Sequence, residues 1–305
     1  MILLNNDYIL VLLPYFIIIY NDKYELFKEI KEQDKMISIC QIENGLLVTS
    51  HENKTLKIRT ITGENVKIFP IENNVGSLTS LENNNFACII LNRFYSFWTG
   101  DKILKIWTVR TDPVLPILMT NIEFTNKKIA KINYIKDKKL IILKSVDDEH
   151  AHFYLIEANT LTCVYNFQYS YKIKAFSYLD KERVIFSDLP FDEDAVNIII
   201  WDIKGDKIEH KIDYDKPVHC FLEMTSNIVL LGEDGGIRIF DYINKKQYFI
   251  KEKYNVLGMI KINDNCFVCY SKQEINIMQF DRLKDTIDIN SIQIKIESNK
   301  SNKLN

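Results

Sequence analysis

Two clusters in the chain have residue types and spacings that suit metal chemistry. Cys266-Phe-Val-Cys269 has the spacing of a zinc-ligand pair, but a structural zinc site takes four ligands and the sequence offers no second pair. His150 and His152 lie beside three carboxylates, an arrangement that also suits a two-histidine, carboxylate metal site. We interpret the two cysteines as structural thiols, because strand residues three apart point to opposite faces. We interpret the histidine segment as a solvated polar loop.

Other catalytic signatures are missing from the sequence. None of the five histidines lies in a His-Glu-x-x-His helix or a nucleophile motif. Gly232, Gly235 and Gly236 lie between two strand-like runs, whereas a phosphate-binding loop leads into the N-terminus of a helix. The sequence therefore predicts no catalytic residue, no bound metal and no cofactor.

Composition restricts the class of protein. The chain has 305 residues, of which 47% are hydrophobic and 26% charged, and its net charge is -2. This composition is typical of a globular protein with a substantial core. A nearly neutral chain lacks the basic surplus that neutralises phosphates, so we predict no nucleic-acid partner. The six cysteines are scattered through apolar runs, which predicts reduced core thiols and a cytoplasmic location, with the nucleus as an alternative.

An almost wholly apolar run covers residues 8–20. A membrane-spanning helix needs about 20 apolar residues, and this run is shorter. No basic residue precedes it, as a signal peptide would require, and Pro14 interrupts it. We predict two buried strands joined at Pro14 and no insertion into a membrane.

The elements that position these side chains follow a repeat, clearest in residues 227–246. There an apolar run, a Gly-Glu-Asp-Gly turn, an alternating run and a polar turn follow one another, as in two consecutive strand–turn units. Alternating runs that begin at residues 36, 75, 129, 173, 218 and 256 are each followed by three further strand-like runs. Their spacing, roughly 40 to 55 residues, matches the period of a four-stranded propeller blade. The N-terminus supplies a seventh unit that starts with a short strand at residues 2–4.

We therefore predict an all-β fold, a seven-bladed β-propeller of four-stranded antiparallel blades, in a single domain of residues 1–296. The blades are expected at residues 1–30, 35–70, 75–128, 129–168, 172–213, 217–252 and 256–296. The polar tail, residues 297–305, is expected to be disordered.

The third unit has surplus residues and allows two alignments. The one we favour uses residues 94–99 as its third strand and 103–109 as its fourth, which leaves 110–128 as a long connection. The other uses residues 103–108 as the third strand and 113–124 as the fourth. We favour the first because the second leaves the preceding strand very long.

Several segments resemble the WD-repeat β-propeller family. Gly232-Glu-Asp-Gly-Gly-Ile-Arg-Ile-Phe-Asp241 is similar to that family's Gly-Ser-x-Asp-Gly-Thr-Ile-Arg-hydrophobic-Trp-Asp segment. Ile200-Trp201-Asp202-Ile-Lys-Gly205-Asp-Lys207 is similar to its Trp-Asp-x-x-Thr-Gly-Lys ending. The resemblance implies a non-catalytic scaffold or adaptor that presents loop faces to other proteins within a multi-protein complex.

The chain also departs from the family pattern. No unit has the Gly-His pair that opens a family repeat, so the family's buried Asp-His-Ser/Thr-Trp network is incomplete in every blade. Asp234 matches the turn aspartate, but its strand carries Phe240 in place of Trp. We therefore expect the blades to be held mainly by apolar packing between neighbouring sheets.

Acidic residues concentrate in the loops between the second and third strands of blades four, five and six. In a propeller these loops share one rim, which predicts an acidic face for a basic peptide or protein segment. The alternative is that the charges only keep this edge soluble. The candidate partner-binding residues are Asp147, Asp148, Glu149, Asp192, Glu193, Asp194, Glu233 and Asp234. The opposite rim is expected to be basic, from Lys136, Lys138, Lys139, Lys204, Lys207, Lys245 and Lys246.

Two other functions remain open at this stage. A propeller enzyme of the hydrolase or lactonase type would place carboxylates or metal ligands in the central channel. The chain would alternatively be the propeller part of a larger protein, such as a trafficking coat or a ubiquitin-ligase receptor. Fold alone does not choose among these functions.

Overall fold

The computed structural model shows an all-β protein. It describes residues 1–91, 102–111, 114–124, 128–135, 139–146, 151–160, 162–169, 172–179, 182–189, 196–271, 274–281 and 286–295. These residues form seven sheets of four strands with antiparallel pairing, and they contain no helix. A helix long and apolar enough to cross a membrane is likewise not found among them. The architecture is that of a seven-bladed β-propeller, as the repeat predicts.

Blades one to four form a first compact unit, residues 1–170. We name the strands of each blade a to d in chain order. Blade one contains β1 (Ile2–Leu3), β2 (Ile9–Leu12), β3 (Phe16–Tyr20) and β4 (Leu26–Lys31). Blade two contains β5 (Met36–Gln41), β6 (Leu47–His51), β7 (Thr55–Arg59) and β8 (Asn65–Pro70). Blade three contains β9 (Asn74–Ser80), β10 (Asn85–Leu91), β11 (Lys102–Thr111) and β12 (Val114–Phe124). Blade four contains β13 (Lys128–Ile135), β14 (Leu140–Val146), β15 (Ala151–Glu157) and β16 (Cys163–Tyr169).

Blades five to seven form a second compact unit, residues 171–305. Blade five contains β17 (Lys172–Leu179), β18 (Arg183–Leu189), β19 (Val196–Asp202) and β20 (Lys207–Tyr214). Blade six contains β21 (Val218–Thr225), β22 (Ile228–Glu233), β23 (Gly236–Asp241) and β24 (Lys246–Lys251). Blade seven contains β25 (Gly258–Asn263), β26 (Cys266–Tyr270), β27 (Glu274–Asp281) and β28 (Thr286–Lys295).

Strands a to d of a blade differ in burial, and this difference explains their sequence patterns. Every residue of β6 is buried, and so are the last five of β22, because strands b and c are covered on both faces. Strand d lies at the outside, so four of the six residues of β24 are exposed in succession. Apolar runs therefore mark the two middle strands of each blade, and mixed runs mark the outer strand.

Apolar packing fills the space between neighbouring blades within each unit. In the first unit, Val48 and Ile58 of blade two pack with Phe86 of blade three, whose ring stacks on Trp107 at a centroid distance of 6.4 Å. In the second unit, Ile185 of blade five packs with Leu231 of blade six. Complete burial of one such side chain contributes about 1.5–3 kcal/mol, so these clusters supply the main stabilisation between sheets.

Blade three follows the alignment that we did not favour. Its strand c is β11 and its strand d is β12, whereas we expected residues 103–109 to be strand d. Leu104 and Ile106 of β11 are buried in the core between blades three and four, which suits an inner strand, while Leu118 and Met119 of β12 are exposed. The expected strand at residues 94–99 lies outside the described residues.

Other local predictions are confirmed. The apolar run of residues 8–20 contains β2 and β3, separated at Pro14. The short N-terminal strand β1 pairs with β2. Cys266 and Cys269 are free thiols buried in β26. Cys163 differs from the expectation of core thiols, because it is exposed on an outer strand. The tail of residues 297–305 lies outside the described residues.

The glycines of the β22–β23 turn allow a direct test of this packing. A Cβ at Gly236 would lie 2.2 Å from the backbone oxygen of Ile250 on β24, so the neighbouring strand would have to move. Gly235 has a φ of +76° and open space around it, and Asn adopts this left-handed conformation more readily than other residues. We expect Gly236→Ala to lower the free energy of unfolding by about 2–3 kcal/mol.

The matched variant Gly235→Asn should cost less than about 1 kcal/mol. Urea titration followed by tryptophan fluorescence measures both. Equal losses from the two substitutions would contradict the close approach of β24 to Gly236.

Candidate functional site

Only two of the eight predicted partner-binding residues lie within the described part of the chain. These are Glu233 and Asp234, at the turn that joins β22 to β23. The other six lie outside the described residues, so their rim placement stays a prediction: Asp147, Asp148, Glu149, Asp192, Glu193 and Asp194.

Asp234 is an exposed carboxylate on a well-fixed turn. Its side chain is 48% exposed, and its Oδ1 lies 2.7 Å from Nε2 of His219 on β21. The turn itself is tied to the connection between β24 and β25. Gly235 N donates to Asn255 Oδ1 at 3.2 Å, and Glu252 N donates to Gly235 O at 2.8 Å. The carboxylate is thus held at the surface in a defined position.

Glu233 is buried, in contrast to the exposed rim position that we expected. Its residue exposure is 0%, and Arg238 Nη2 donates to its Oε1 at 3.1 Å. The Tyr214 hydroxyl donates to the other carboxylate oxygen, and Arg238 Nε donates to the same hydroxyl oxygen. Burial and the Glu233 charge raise the pKa of Tyr214, which keeps it protonated as a donor. Glu233 therefore joins blade five to blade six and is not available at the surface.

A similar polar corner joins blades one and two. Glu32, the first residue after β4, contacts two cations of β7: Lys57 Nζ at 2.6 Å and the guanidinium of Arg59. Arg59 has no exposed surface, and Lys57 and Glu32 are also buried. Burial alone would raise the pKa of Glu32, but the hydrogen bonds from Arg59 and Lys57 outweigh it and hold the pKa below its usual range. The charge of the Glu32 carboxylate is therefore compensated, whereas Nε and Nη2 of Arg59 are buried without a hydrogen-bond partner.

His51 lies on the same face of blade two. Its Nε2 is 3.0 Å from Thr49 Oγ1, and the residue is fully buried. Burial is the main cause that lowers the pKa of His51 to about 4, and the charge of Lys57 adds to it. His51 is therefore a neutral core residue near pH 7.

The third such corner, between blades six and seven, contains two carboxylates. Glu252 follows β24 as Glu32 follows β4, and each donates its backbone N–H to the b–c turn of its own blade at 2.8 Å. Glu252 and Glu274 line a small cavity together with Asn276, whose Nδ2 donates to Glu252 Oε2 at 3.1 Å. No cationic side chain of the described residues bonds to either carboxylate.

A larger cavity lies in the first unit, beside strands a of blades one to four. It has a volume of about 450 Å³, which is within the range of small-molecule sites. Its polar lining includes Gln41, Glu43, Glu82 and Tyr134. Glu43 Oε2 accepts a hydrogen bond from Asn83 N at 2.7 Å, and Glu82 lies 3.5 Å from Lys139 Nζ. Burial, followed by the charges of Glu82 and Glu43, raises the pKa of Tyr134.

The histidine segment considered for metal binding is only partly described. His152 is a buried residue of β15 that stacks on Tyr154 at a centroid distance of 6.3 Å, so it is not part of a solvated loop. His150 lies outside the described residues. The described side chains contain no group of three or more histidine, cysteine, aspartate or glutamate residues placed to hold a metal ion.

The opposite edge of the second unit exposes lysines at its c–d turns. Lys204 and Lys207 lie at the turn from β19 to β20, and Lys245 and Lys246 at the turn from β23 to β24; all four are exposed. In the first unit, Lys139 is exposed and pairs with Glu82. Lys136 and Lys138 lie outside the described residues.

The sequence patterns did not identify the side chains that contact the carboxylates of the polar corners and of the β22–β23 turn. The pairing of His219 with Asp234 brings together a strand-a histidine and a turn aspartate without the Gly-His signal of the family repeat. Glu32 and Glu252 had one available signal, since each is a carboxylate directly after a fourth strand-like run. Lys57, Arg59 and Arg238 lie within apolar strands, where an isolated cation already indicates a buried partner.

The comparisons agree with the fold. No protein-family model and no curated protein sequence matches the chain. A chain of the crystal structure of the mitotic checkpoint complex superposes with a TM-score of 0.66 at 10% identity, covering 88% of this chain and 85% of that chain. The Dos1 propeller gives a TM-score of 0.64 at 12% identity, covering 86% and 73%. Sqt1 of Saccharomyces cerevisiae gives 0.58 at 9% identity, covering 87% of each. The chain therefore shares the β-propeller fold with proteins whose sequences are only 9–12% identical to its own.

The Glu32 corner predicts a large loss of stability when its charge is removed. Glu32→Gln leaves Lys57 and Arg59 buried without a carboxylate, so we expect the free energy of unfolding to fall by about 3–5 kcal/mol. Glu52→Gln is the matched control, because Glu52 forms an exposed pair with Lys35 at 2.5 Å, and should cost less than about 1 kcal/mol. Chemical denaturation at pH 7 measures both. A loss for Glu32→Gln no larger than that of the control would show that the cluster is not a stabilising one.

His51 predicts a loss of stability in mild acid. Its pKa in the folded protein is about 4, below its ordinary value of 6.5, so the unfolded chain binds a proton that the folded chain does not. The free energy of unfolding should therefore fall as the pH drops from about 6.5 to about 4, by up to about 3 kcal/mol. The lowered pKa of Glu32 extends this loss to still lower pH. In His51→Gln the decrease between pH 6.5 and 4 should be smaller in urea titrations, and an unchanged pH profile would argue against a neutral buried His51.

Proposed function

We propose that this chain is a non-catalytic protein-interaction platform whose b–c loop edge captures a basic peptide or protein segment. The observation that carries the proposal is Asp234. Its carboxylate is half exposed on a turn that backbone and side-chain hydrogen bonds hold in place. A pre-positioned surface charge attracts an oppositely charged partner at little cost in ordering.

Charge distribution within the second unit supports the proposal. Asp215 and Asp234 are exposed at the edge that carries the b–c turns and the d–a connections. The lysines of the c–d turns are exposed at the other edge. Exposed carboxylates at one edge attract a cationic partner before contact and raise its association rate, although Lys253 at the same edge and Asp206 and Asp264 at the other edge reduce this separation of charge. The resemblance to WD-repeat proteins supports the same class of function, as does the similarity to a chain from a multi-protein assembly.

A second candidate function rests on the cavity of about 450 Å³ in the first unit. Its size and the carboxylates Glu43 and Glu82 suit a small-molecule site such as that of a propeller hydrolase. However, Glu43 accepts a hydrogen bond from a neighbouring turn and Glu82 contacts Lys139, so both carboxylates take part in contacts between a–b turns. We therefore favour the adaptor over the enzyme.

The proposal is tested by neutralising Asp234. The probe is a fluorescent decapeptide of alternating lysine and glycine, titrated at low ionic strength and followed by anisotropy. Asp234→Asn should weaken binding by about two- to fivefold, as expected for one exposed charge pair of up to about 1 kcal/mol. The combined replacement of Asp147, Asp148, Asp192, Asp194 and Asp234 by Asn should weaken it further and flatten its salt dependence.

Asp264→Asn is the matched control. Asp264 is an exposed turn aspartate that contacts Lys261 at 2.8 Å, on the a–b turn of blade seven. Its replacement should leave peptide binding unchanged. If both single variants weaken binding equally, the effect is one of net charge and the acidic b–c edge is not the binding surface.

A further inference from the structure

The cavity between blades six and seven differs from the other two polar corners because no cation among the described side chains bonds to its carboxylates. In the corner of blades one and two, Glu32 faces Lys57 and Arg59, and in that of blades five and six, Glu233 faces Arg238. At the position of Lys57 and Arg238, the third corner has the neutral residue Asn276. Each of these three residues pairs across the sheet with the second-last or third-last residue of strand b.

The carboxylates of this corner lack the compensation found in the others. Glu274 is 8% exposed, and its carboxylate receives no hydrogen bond from a described residue. Glu252 is half buried and receives one, from Asn276 Nδ2. Burial, followed by the charge of Glu274, raises the pKa of Glu252. Lys253 is exposed, and its Nζ lies over the Tyr254 ring, 5.0 Å from the centroid. Lys295 of β28 pairs with Glu274 across the sheet, and its side chain lies outside the described part of the structure.

A second observation points to a missing donor. Asn276 is 6% exposed, it lines the cavity, and its Oδ1 has no hydrogen-bond partner. A buried acceptor without a donor costs about 1–3 kcal/mol. The unpaired oxygen and the two carboxylates therefore present acceptors from three residues to one small space.

The size of the cavity selects among possible occupants. Its volume is about 10 Å³, which is near the lower limit for one group of the size of a water molecule. Water has only two donor hydrogens, whereas a primary ammonium group has three donors, no acceptor and a positive charge. A guanidinium group is planar and larger, and divalent metal ions take six or more oxygen ligands or keep several waters.

We propose that Glu252, Glu274 and Asn276 form a binding site for one primary ammonium group, supplied by a lysine side chain of the protein partner. This inference rests on the proposed function and identifies the residue type that the acidic edge recognises. Gly235 O accepts a hydrogen bond from Glu252 N, and Gly235 directly follows Asp234, so the turn that carries the exposed carboxylate is hydrogen-bonded to a residue that lines the cavity. Asp234 attracts the basic segment, and the cavity then binds one of its ammonium groups.

The direct test uses methylammonium chloride as the probe. At constant ionic strength it should raise the melting temperature in a saturable manner, whereas tetramethylammonium, which has no N–H donor and is too large, should not. Glu274→Gln should weaken methylammonium binding at least about tenfold, since a charge-assisted hydrogen bond is lost. Asp264→Asn, at the exposed a–b turn of blade seven, should leave it unchanged. No saturable shift, or an equal shift with potassium chloride, would overturn the proposal.

A measurement without any amine tests the uncompensated charge itself. The raised pKa of Glu252 means that the folded protein binds this proton more tightly than the unfolded chain. The stability that proton binding at Glu252 gives to the folded protein is therefore lost as the pH rises through the folded pKa. Glu274→Gln removes the neighbouring charge and should raise the melting temperature more at pH 7 than at pH 4.5. A decrease at pH 7 would show that a cation of the chain already occupies the corner.

The two proposals fail separately. Loss of lysine-peptide binding in Asp234→Asn with no methylammonium effect in the wild type would retain the acidic edge and reject the ammonium site. Methylammonium binding that requires Glu274, together with a peptide affinity that does not depend on Asp234, would retain the site and reject the proposed edge.

Discussion

The middle strands of every blade must be covered on both faces, and the rest of the structure depends on this constraint. A strand such as β6, in which every residue is buried, is stable only between two layers. Stacked sheets provide those layers within each unit, through clusters such as that of Val48 with Phe86. The polar ends of the same strands must then also be satisfied where neighbouring sheets meet, because an unpaired buried group is costly.

Polar corners provide contacts between neighbouring sheets, whereas the hydrogen-bond network typical of WD repeats is incomplete in this sequence. The WD-repeat resemblance implies an Asp-His-Ser/Thr-Trp network, yet no blade has all its residues. Instead, the residue after strand d, or at its end, contacts ionic or polar groups on strands b and c of the next blade. Glu32 is compensated by two cations, and Glu233 by Arg238 and Tyr214. Such pairs specify how neighbouring sheets align as much as they stabilise them, since well-packed apolar groups often stabilise equally well.

Much of the architecture could be predicted from the sequence, and the site only in part. Two-sided burial leaves apolar runs at regular spacing, so the repeat predicts seven four-stranded sheets, which the structure shows. Blade three was misaligned because β11 and β12 are unusually long and the expected third strand was sought before Lys102. Glu233 and Asp234 are adjacent and equally acidic, yet one is buried and the other exposed. Arg238, on the next strand of the same blade, and Tyr214, at the end of blade five, bind the Glu233 carboxylate. The contact with Tyr214 joins two blades, and such a contact leaves no local pattern in the sequence.

The third corner stands out because its carboxylates lack the cationic partners that the other two corners provide. The three corners occupy comparable positions between successive blades, so their difference lies in side chains rather than in backbone. One buried and one half-buried carboxylate next to an unpaired amide oxygen lower the stability of the folded chain unless a ligand supplies charge and donors. A protein keeps such a destabilising site where binding depends on it, because strained and unsatisfied groups concentrate at functional surfaces. Asp234 alone would attract any cation without distinguishing its chemistry, whereas a small cavity with acceptors from three residues separates an ammonium group from a guanidinium group by size and from potassium by hydrogen bonding.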